Sequence, residues 1–431
     1  MTLLGRLGSL EAEGRPIRVA VVGVGQMGGG FARQVARLPG MRVVGLCDVI
    51  VDRAVATAEE ISSTAEVADT EMSLRRLVAE GRTAITVRPD WLVGVPHVDV
   101  LVDATGDPEG GVRLAFAAVT STKLVVTFNI EADATVGPLL AWLARQAGAL
   151  YTVAGGDEPS VLCEMVDFAR GSGFEVVCAG KGKNNRLDRT ATAQTVEAEA
   201  SARGMSARML ASFVDGTKTM AEMTALANAT GLVPDTPGLH GPVANVADLL
   251  RIFVPESDGG ILHRSGVVDY AIGDVAPGVF VTATASTAAM RRDLAYLKMG
   301  EGPYYLLYRP YHLASLEAPL SLARAVLDRE VTMAAAGPPL AECVAVAKRN
   351  LGRGEMLDGI GGATVYGLAV LAAWATEAHA VPIGIVGRAR MLREVARGTV
   401  LTEADVSLDD GATVVHLRRL QDALVRQGML M

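Results

Sequence analysis

Cysteine is scarce in this chain of 431 residues: only Cys47, Cys163, Cys178 and Cys343 occur, and no two form a C-x-x-C pair. Neither a disulfide framework nor a thiolate zinc motif is expected, and a reducing, cytoplasmic setting fits. The opening MTLLGRLGSLEAEGRP lacks the basic-then-apolar plan of a secretory signal. Long apolar runs are missing as well. The most membrane-like stretch, Gly361 to Thr376, falls short of the roughly 18 apolar residues a spanning helix needs and soon meets Glu377 and His379, so it reads as buried core. There is no cationic excess: a net charge of -8 and a pI near 5.4 leave no positive field for nucleic acid or an anionic membrane. A small molecule is the expected partner. Histidine is sparse too. His97, His240, His263, His312, His379 and His416 never stand four apart, so spacing gives a histidine-ligated zinc little support.

Half of the residues are apolar and a fifth are charged, the balance of a folded protein. The length exceeds what one core of roughly 250 to 300 residues serves, so two or three domains are expected. Over residues 1–155, short β-branched runs (17–22, 43–47, 98–106, 123–129, 149–156) alternate with helical stretches. That predicts an α/β fold with a Rossmann-type, doubly wound parallel sheet. Residues 156–335 are more polar and predict a substrate domain. AGPP at 336–339 is a linker candidate, and 336–431 predicts a small third domain with a capping pair at Thr402 and Asp405 and a last amphipathic helix carrying Leu417, Leu420 and Leu424. No internal repeat or low-complexity tract occurs.

Within RVAVVGVGQMGGGF, Gly23, Gly25 and Gly28 form G-x-G-x-x-G between a predicted strand and helix, with Gln26 and Met27 inside the motif and Asp48 twenty residues past its last glycine. The pattern predicts dinucleotide binding: bare amides at the helix N-terminus meet the diphosphate and the acid meets a ribose hydroxyl. Arg53 stands where a 2'-phosphate would lie, so NAD(H) and NADP(H) both remain open. Thr105, Gly106 and Asn129 follow later strands and are expected either to line the nicotinamide half or to serve as loop caps. Gly29 and Gly30, costly in a helix, predict a close-packed neighbour rather than a cofactor contact.

The run GGDEPSVLCEMVDFARGSGFEVVCAGKGKNN predicts a pocket loop in which Lys181 and Lys183 stabilise negative charge on a substrate oxygen, with Glu158, Asn184 and Asn185 beside the substrate. Two solvated lysines are the ordinary alternative. In SFVDGTKTMAEM, Asp215 and Lys218 suit an acid–base pair, Lys218 moving a hydroxyl proton while Asp215 orients it; an N-cap at Asp215 with a Lys218–Glu222 ion pair is equally compatible. Asp157, Glu158 and Glu164 offer oxygen ligands for Mg²⁺ or Mn²⁺ without a diagnostic spacing. His240, in GLHGP, is the histidine expected to face a pocket and substrate.

VGVGQMGGGF, CDV, GGDEP, AGKGKNN, FVDGTKTMAEM, YLKMGEGPYYLLYRPYHLASLEAPLSLARAVL and AKRNLGRGEMLDGIGGATVYG, in this order, resemble homoserine-dehydrogenase-like oxidoreductases with a C-terminal SAF domain. More narrowly, the chain resembles the 1-deoxy-D-xylulose 5-phosphate reductoisomerase-like (DXR-like) group. That resemblance implies an α+β substrate domain, a β-rich SAF-like C-terminal domain, and rearrangement of a ketose phosphate with reduction by NADPH to 2-C-methyl-D-erythritol 4-phosphate, an isoprenoid precursor. Lys181 and Lys183 match that group's loop, and Asp215 and Lys218 match the catalytic acid and lysine of homoserine dehydrogenases. The acid-rich metal motif of orthodox reductoisomerases is missing. Two other readings stand beside this one: a dehydrogenase of another sugar phosphate, hydroxy acid or amino alcohol without rearrangement, and a non-enzymatic carbohydrate-binding or assembly module. A homo-oligomer is expected, dimers being the commonest assembly.

Overall fold

The computed structural model describes residues 1–61 and 64–430. Its internal contacts divide the chain into two units, one made of 1–157 with 313–334 and 430, the other of 158–312 with 335–429. No helix among the described residues is long and apolar enough to cross a membrane.

The first unit is built on seven parallel strands: β1 (Ile17–Val22), β2 (Met41–Cys47), β3 (Glu66–Val67), β4 (Ala84–Thr86), β5 (Val100–Asp103), β6 (Leu124–Thr127) and β7 (Leu150–Val153). Their order is β3-β4-β2-β1-β5-β6-β7, which is the Rossmann-type sheet that the alternating pattern predicts. Between them run α1 (Leu3–Ala12), α2 (Gln26–Val35), α3 (Val51–Ile61), α4 (Glu71–Ala79), α5 (Pro89–Val93), α6 (Pro108–Thr120) and α7 (Ile130–Ala147), where α1 precedes β1. The central strands are mostly apolar, as expected where helices cover both faces, and Val19, Val21, Val100, Val102 and Val126 are completely buried. The chain runs outward from β1 in one direction through β2 and β4, then returns to start β5 on the other side of β1. The carboxyl ends of β1 and β5 therefore form the switch point where such sheets hold ligands.

Ala314–Asp328 forms one further helix of this unit, packed on α2. A Cβ at Gly30 would sit 3.1 Å from Ser315 Oγ of that helix, so a close neighbour does explain this glycine. Gly29 differs, its nearest neighbours lying at an ordinary 3.5 Å.

Asp133, on α7, is fully buried and accepts a 3.1 Å hydrogen bond from Tyr151 Oη. Burial pushes its carboxyl up to about 7, against the lowering effect of the Tyr151 bond. The unfolded value is roughly 3.9, so between these limits the folded chain holds a proton that the unfolded chain has lost, and stability falls as pH rises through this window. Asp133→Asn, which retains an acceptor for Tyr151, is expected to remove that loss. In a pH series of thermal unfolding, the advantage of the variant should grow from about pH 4 and level off above about pH 7, toward an upper bound of about 4 kcal/mol. An advantage that does not change with pH would disprove the assignment.

The second unit opens with α8 (Glu158–Gly171) and a five-stranded mixed sheet of order β12-β11-β8-β10-β9, formed by β8 (Phe174–Lys183), β9 (Val233–Pro234), β10 (Val267–Ile272), β11 (Val279–Ala285) and β12 (Tyr304–Arg309). Helices α9 (Glu197–Ala202), α10 (Ala207–Val214), α11 (Thr217–Thr230), α12 (Leu249–Ile252) and α13 (Ala288–Tyr296) join them, and Ala314–Asp328 follows as α14. Next come an antiparallel pair, β13 (Ala341–Ala347) and β14 (Val365–Leu371), then α15 (Ala372–Glu377), a second pair, β15 (Arg390–Met391) and β16 (Val406–Ser407), and α16 (Thr413–Arg426).

By internal contacts the segments expected as the second and third domains fall into one unit. Residues 335–429 group with the middle segment because α11, buried along almost its whole length, packs on both β13 and β14. Asn228 Oδ1 accepts the amides of Leu340 and Ala341, and Thr217 Oγ1 accepts that of Gly367. Helix α14, expected in the substrate domain, belongs to the first unit. The expected capping pair closes a turn before β16 instead of starting a helix: Thr402 N and Oγ1 both donate to Asp405 Oδ2.

Candidate active site

The glycine turn is shaped by close backbone approach. A Cβ at Gly23, where φ is +88°, would lie 2.5 Å from Ala104 O, and one at Gly28 would lie 1.9 Å from Gly23 O. At Gly25 the opposite holds: nothing stands within 4 Å of a built Cβ, so the turn has open space at that residue. Gly25 is the N-cap of α2 and no side chain caps the helix. Gln26 and Met27 are exposed in its first turn. An uncapped helix start with free approach at Gly25 fits a diphosphate, whose oxygens would accept the amides that the chain leaves uncapped.

Asp48 directly follows β2, where its spacing puts it, and its carboxylate also holds the turn. It is buried, its Oδ2 accepting from Val24 N at 2.8 Å and its Oδ1 from Ile50 N at 2.9 Å. The carboxylate braces the turn from inside. Arg53, exposed in the first turn of α3, remains available. Asn129 likewise takes the capping role: completely buried, it accepts from Ala132 N as N-cap of α7 and donates to Thr105 Oγ1 and Asp107 O. Thr105 Oγ1 in turn donates to Asp103 Oδ1 at 2.7 Å. Burial raises the Asp103 carboxyl above its ordinary value, opposed by the bonds from Thr105, Thr127 and Asn129. These residues fix the rim at the ends of β5 and β6, and of the expected set Gly106, with φ +66°, is the exposed one.

In the second unit the expected pocket loop is a strand. Lys181 and Lys183 end β8, two residues apart and hence on one face. Gly180 and Gly182 face the other way, where a Cβ would meet Phe280 Cζ at 2.5 Å and Ala276 N at 2.2 Å. Alternation of lysine and glycine is thus period-two strand patterning, with glycine required by close neighbours. Asn184, exposed, and Asn185, half-buried, follow the strand end.

Lys181 Nζ lies 2.7 Å from Glu158 Oε2 at the start of α8 and also pairs with Glu222 Oε2 of α11. Burial by itself would lower the amine's pKa, but the two carboxylates outweigh it and raise it. Lys181 is therefore a fixed cation between two acids. Lys183 Nζ donates to Phe213 O, and burial, followed by the Lys181 ammonium, brings its pKa down to about 8. It is the group of this cluster poised to exchange a proton near neutrality.

Within SFVDGTKTMAEM, two acids meet cations from elsewhere in the chain. Asp215 Oδ2 lies 2.7 Å from Lys348 Nζ and its Oδ1 accepts from Thr217 N, while Glu222 pairs with Lys181. Burial raises Asp215 above its ordinary value despite Lys348. Lys348, which also donates to Ala191 O and Gly362 O, went unsuspected, since a lone lysine in AKRN carries no spacing signal. Lys218 is buried in the first turn of α11.

Of the expected oxygen ligands, Glu158 and Glu164 do not stand together. Glu158 is committed to Lys181, and Glu164, six residues along α8 and hence about 240° round the helix, is exposed on another side. Asp157 closes the first unit. His240 does not join the lysines: its Nδ1 lies 2.7 Å from Asp269 Oδ2, and Asp269 pairs with Gly180 whereas Tyr270 pairs with Lys181. Asp269 therefore faces the side of the sheet opposite Lys181.

Residues 156–318 match the family described as "Oxidoreductase DRL, catalytic domain". That span contains Glu158, Lys181, Lys183, Asp215, Lys218, Glu222 and His240. No curated protein matches the chain. Solved structures that resemble it include a "probable dehydrogenase" from Thermotoga maritima (12% identity, TM-score 0.44, covering 73% of this chain and 90% of that one). Another is scyllo-inositol dehydrogenase from Lactobacillus casei with NAD(H) and scyllo-inositol (12%, 0.41, 73% and 90%). A third is dihydrodipicolinate reductase from Paenisporosarcina sp. TG-14 with dipicolinate (14%, 0.36, 73% and 95%).

Proposed function

We propose that this protein is an NADP(H)-linked oxidoreductase of a small ketose or its phosphate, in which the first unit holds the dinucleotide and the second supplies the proton. The observation that carries the reading is the uncapped turn of Gly23, Gly25 and Gly28 at the sheet's switch point, open at Gly25. The oxidoreductase match over 156–318 supports it independently. A bound nicotinamide supplies or accepts the hydride. Lys183, cationic below about pH 8, hands a proton from Nζ to the substrate oxygen as negative charge develops there, and takes one back in the oxidative direction. Lys181, clamped by Glu158 and Glu222, keeps positive charge beside it and holds its amine in the reactive range. Asn184 and Asn185 present donors and acceptors at the same strand end.

The DXR-like version of this reading adds a carbon-skeleton rearrangement before reduction. Simple dehydrogenation of another sugar phosphate, a hydroxy acid or an amino alcohol is the second version. The purified protein, mixed with NADPH and a panel of ketoses, ketose phosphates and keto acids, should consume the reduced cofactor with one class. NMR of the product skeleton then separates rearrangement from plain reduction. Lack of NADPH and NADH binding would end both versions.

Asp48 is occupied by the turn and Arg53 is exposed beside it, which favours a 2'-phosphate. Arg53→Ala is expected to weaken NADPH binding about tenfold, in the range of a charge-assisted bond, and to leave NADH binding unchanged. Equal losses for both, measured by fluorescence titration, would remove Arg53 from cofactor selection.

A further inference from the structure

We propose that Asp235, His240 and His263 form a site for one divalent transition-metal ion of the Zn²⁺ class, on the edge of the mixed sheet and apart from the lysine cluster. Asp235 directly follows edge strand β9, and its side chain is completely buried. Its Oδ2 lies 3.5 Å from His240 Nε2 and 3.2 Å from His263 Nδ1, and the three residues bring ligand atoms within 4.8 Å of one another. Zinc bonds to nitrogen and oxygen at roughly 2.0 to 2.2 Å, which puts tetrahedral donors roughly 3.3 to 3.6 Å apart. The spacing is already close to that of a coordination shell.

Hydrogen bonding gives an independent reason. His240 Nε2 and Asp235 Oδ1 are buried atoms with no hydrogen-bond partner, a costly arrangement that a cation would relieve. A carboxylate only accepts, so the 2.7 Å contact with Asp269 Oδ2 places a proton on His240 Nδ1 and turns the lone pair of the neutral ring to Nε2, toward Asp235. Asp269, fully buried, is held by the amides of Gly241 and Tyr270. This is the arrangement in which a second carboxylate orients a metal-bound imidazole. Asp235 is held in turn by His263 N at 2.8 Å. Two further charges face the cluster: Arg264 Nε lies 3.6 Å from Asp235 Oδ1 on a half-exposed side chain, and Glu256 Oε1 lies 3.8 Å from His263 Nε2. His263 is half exposed, so water completes the shell. The ion ties the segment after β9 to the segment before β10, a role for which i, i+4 spacing is unnecessary.

The test uses the full chain, stripped with chelator and titrated with Co²⁺, then Zn²⁺. One Co²⁺ per chain is expected, with the visible bands of a four-coordinate ion, displaced by Zn²⁺, and with an unfolding temperature that rises with Zn²⁺ concentration. Asp269→Asn should weaken binding about 10- to 100-fold through loosening of His240. His263→Ala and Asp235→Asn, which remove ligands, should weaken it further, and exposed His379→Ala should leave it unchanged. His263→Ala, at a half-exposed position, keeps the test independent of folding defects. Failure to take up stoichiometric Co²⁺, or affinity unchanged in both His263→Ala and Asp235→Asn, overturns the site. The lysine cluster lies on the opposite sheet face, so either result leaves the hydride-transfer reading to its own assay.

Discussion

Gly25→Val should cost about 100-fold in NADPH affinity, or about 2.7 kcal/mol, without a change in unfolding temperature. The two halves of this expectation come from one measurement of space. A built Cβ at Gly25 meets nothing of the protein within 4 Å, and φ there is -69°, ordinary for any residue. The fold therefore tolerates the branch, while the volume it fills is where the diphosphate must approach the uncapped amides. Gly28→Ala makes the contrast, because its Cβ would lie 1.9 Å from Gly23 O and the turn itself must break. Nucleotide titration beside thermal unfolding distinguishes the two. A Gly25→Val protein that binds NADPH normally would show that the crevice does not hold the cofactor.

Lys183→Met should lower kcat by about 10² to 10⁴, the usual range for a lost proton donor, with NADPH affinity nearly unchanged. Its effect on pH dependence is more diagnostic. Reduction needs the ammonium form, so the wild-type rate should fall as pH rises through about 8, and oxidation should rise over the same interval. In Lys183→Met both limbs disappear. Lys181→Met is a poor substitute for this test, since it takes the Lys181 cation from the buried Glu222 and destabilisation becomes the dominant effect. The readout is rate against pH in both directions with the ketose selected by the panel. A Lys183→Met enzyme with an intact limb near pH 8 would place the proton elsewhere.

What was legible beforehand follows the range of the interactions. The seven parallel strands and the turn of Gly23, Gly25 and Gly28 lie within local patterns, apolar runs alternating with amphipathic helices, and these pointed to the correct sheet. Lys181 and Lys183 read as a loop in the sequence, because their neighbouring glycines look like breakers until Phe280 and Ala276 show why they are small. Spacing sets Asp215 near Lys218 and gives no sign of Lys348, well over a hundred residues away, which pairs with it in the fold. Spacing gives His240 and His263 no reason to meet, and tertiary folding brings both to Asp235.

By itself, the order of residues determined the class of the first unit and its glycine turn, since strand, turn and helix are set by neighbours within one αβ repeat. Only the tertiary structure decided which acid meets which base. Desolvation and Coulomb interactions depend on distance in space, so the fixed charge of Lys181, the lowered pKa of Lys183 and the cluster around Asp235 exist only once α8, α11 and the mixed sheet have packed together.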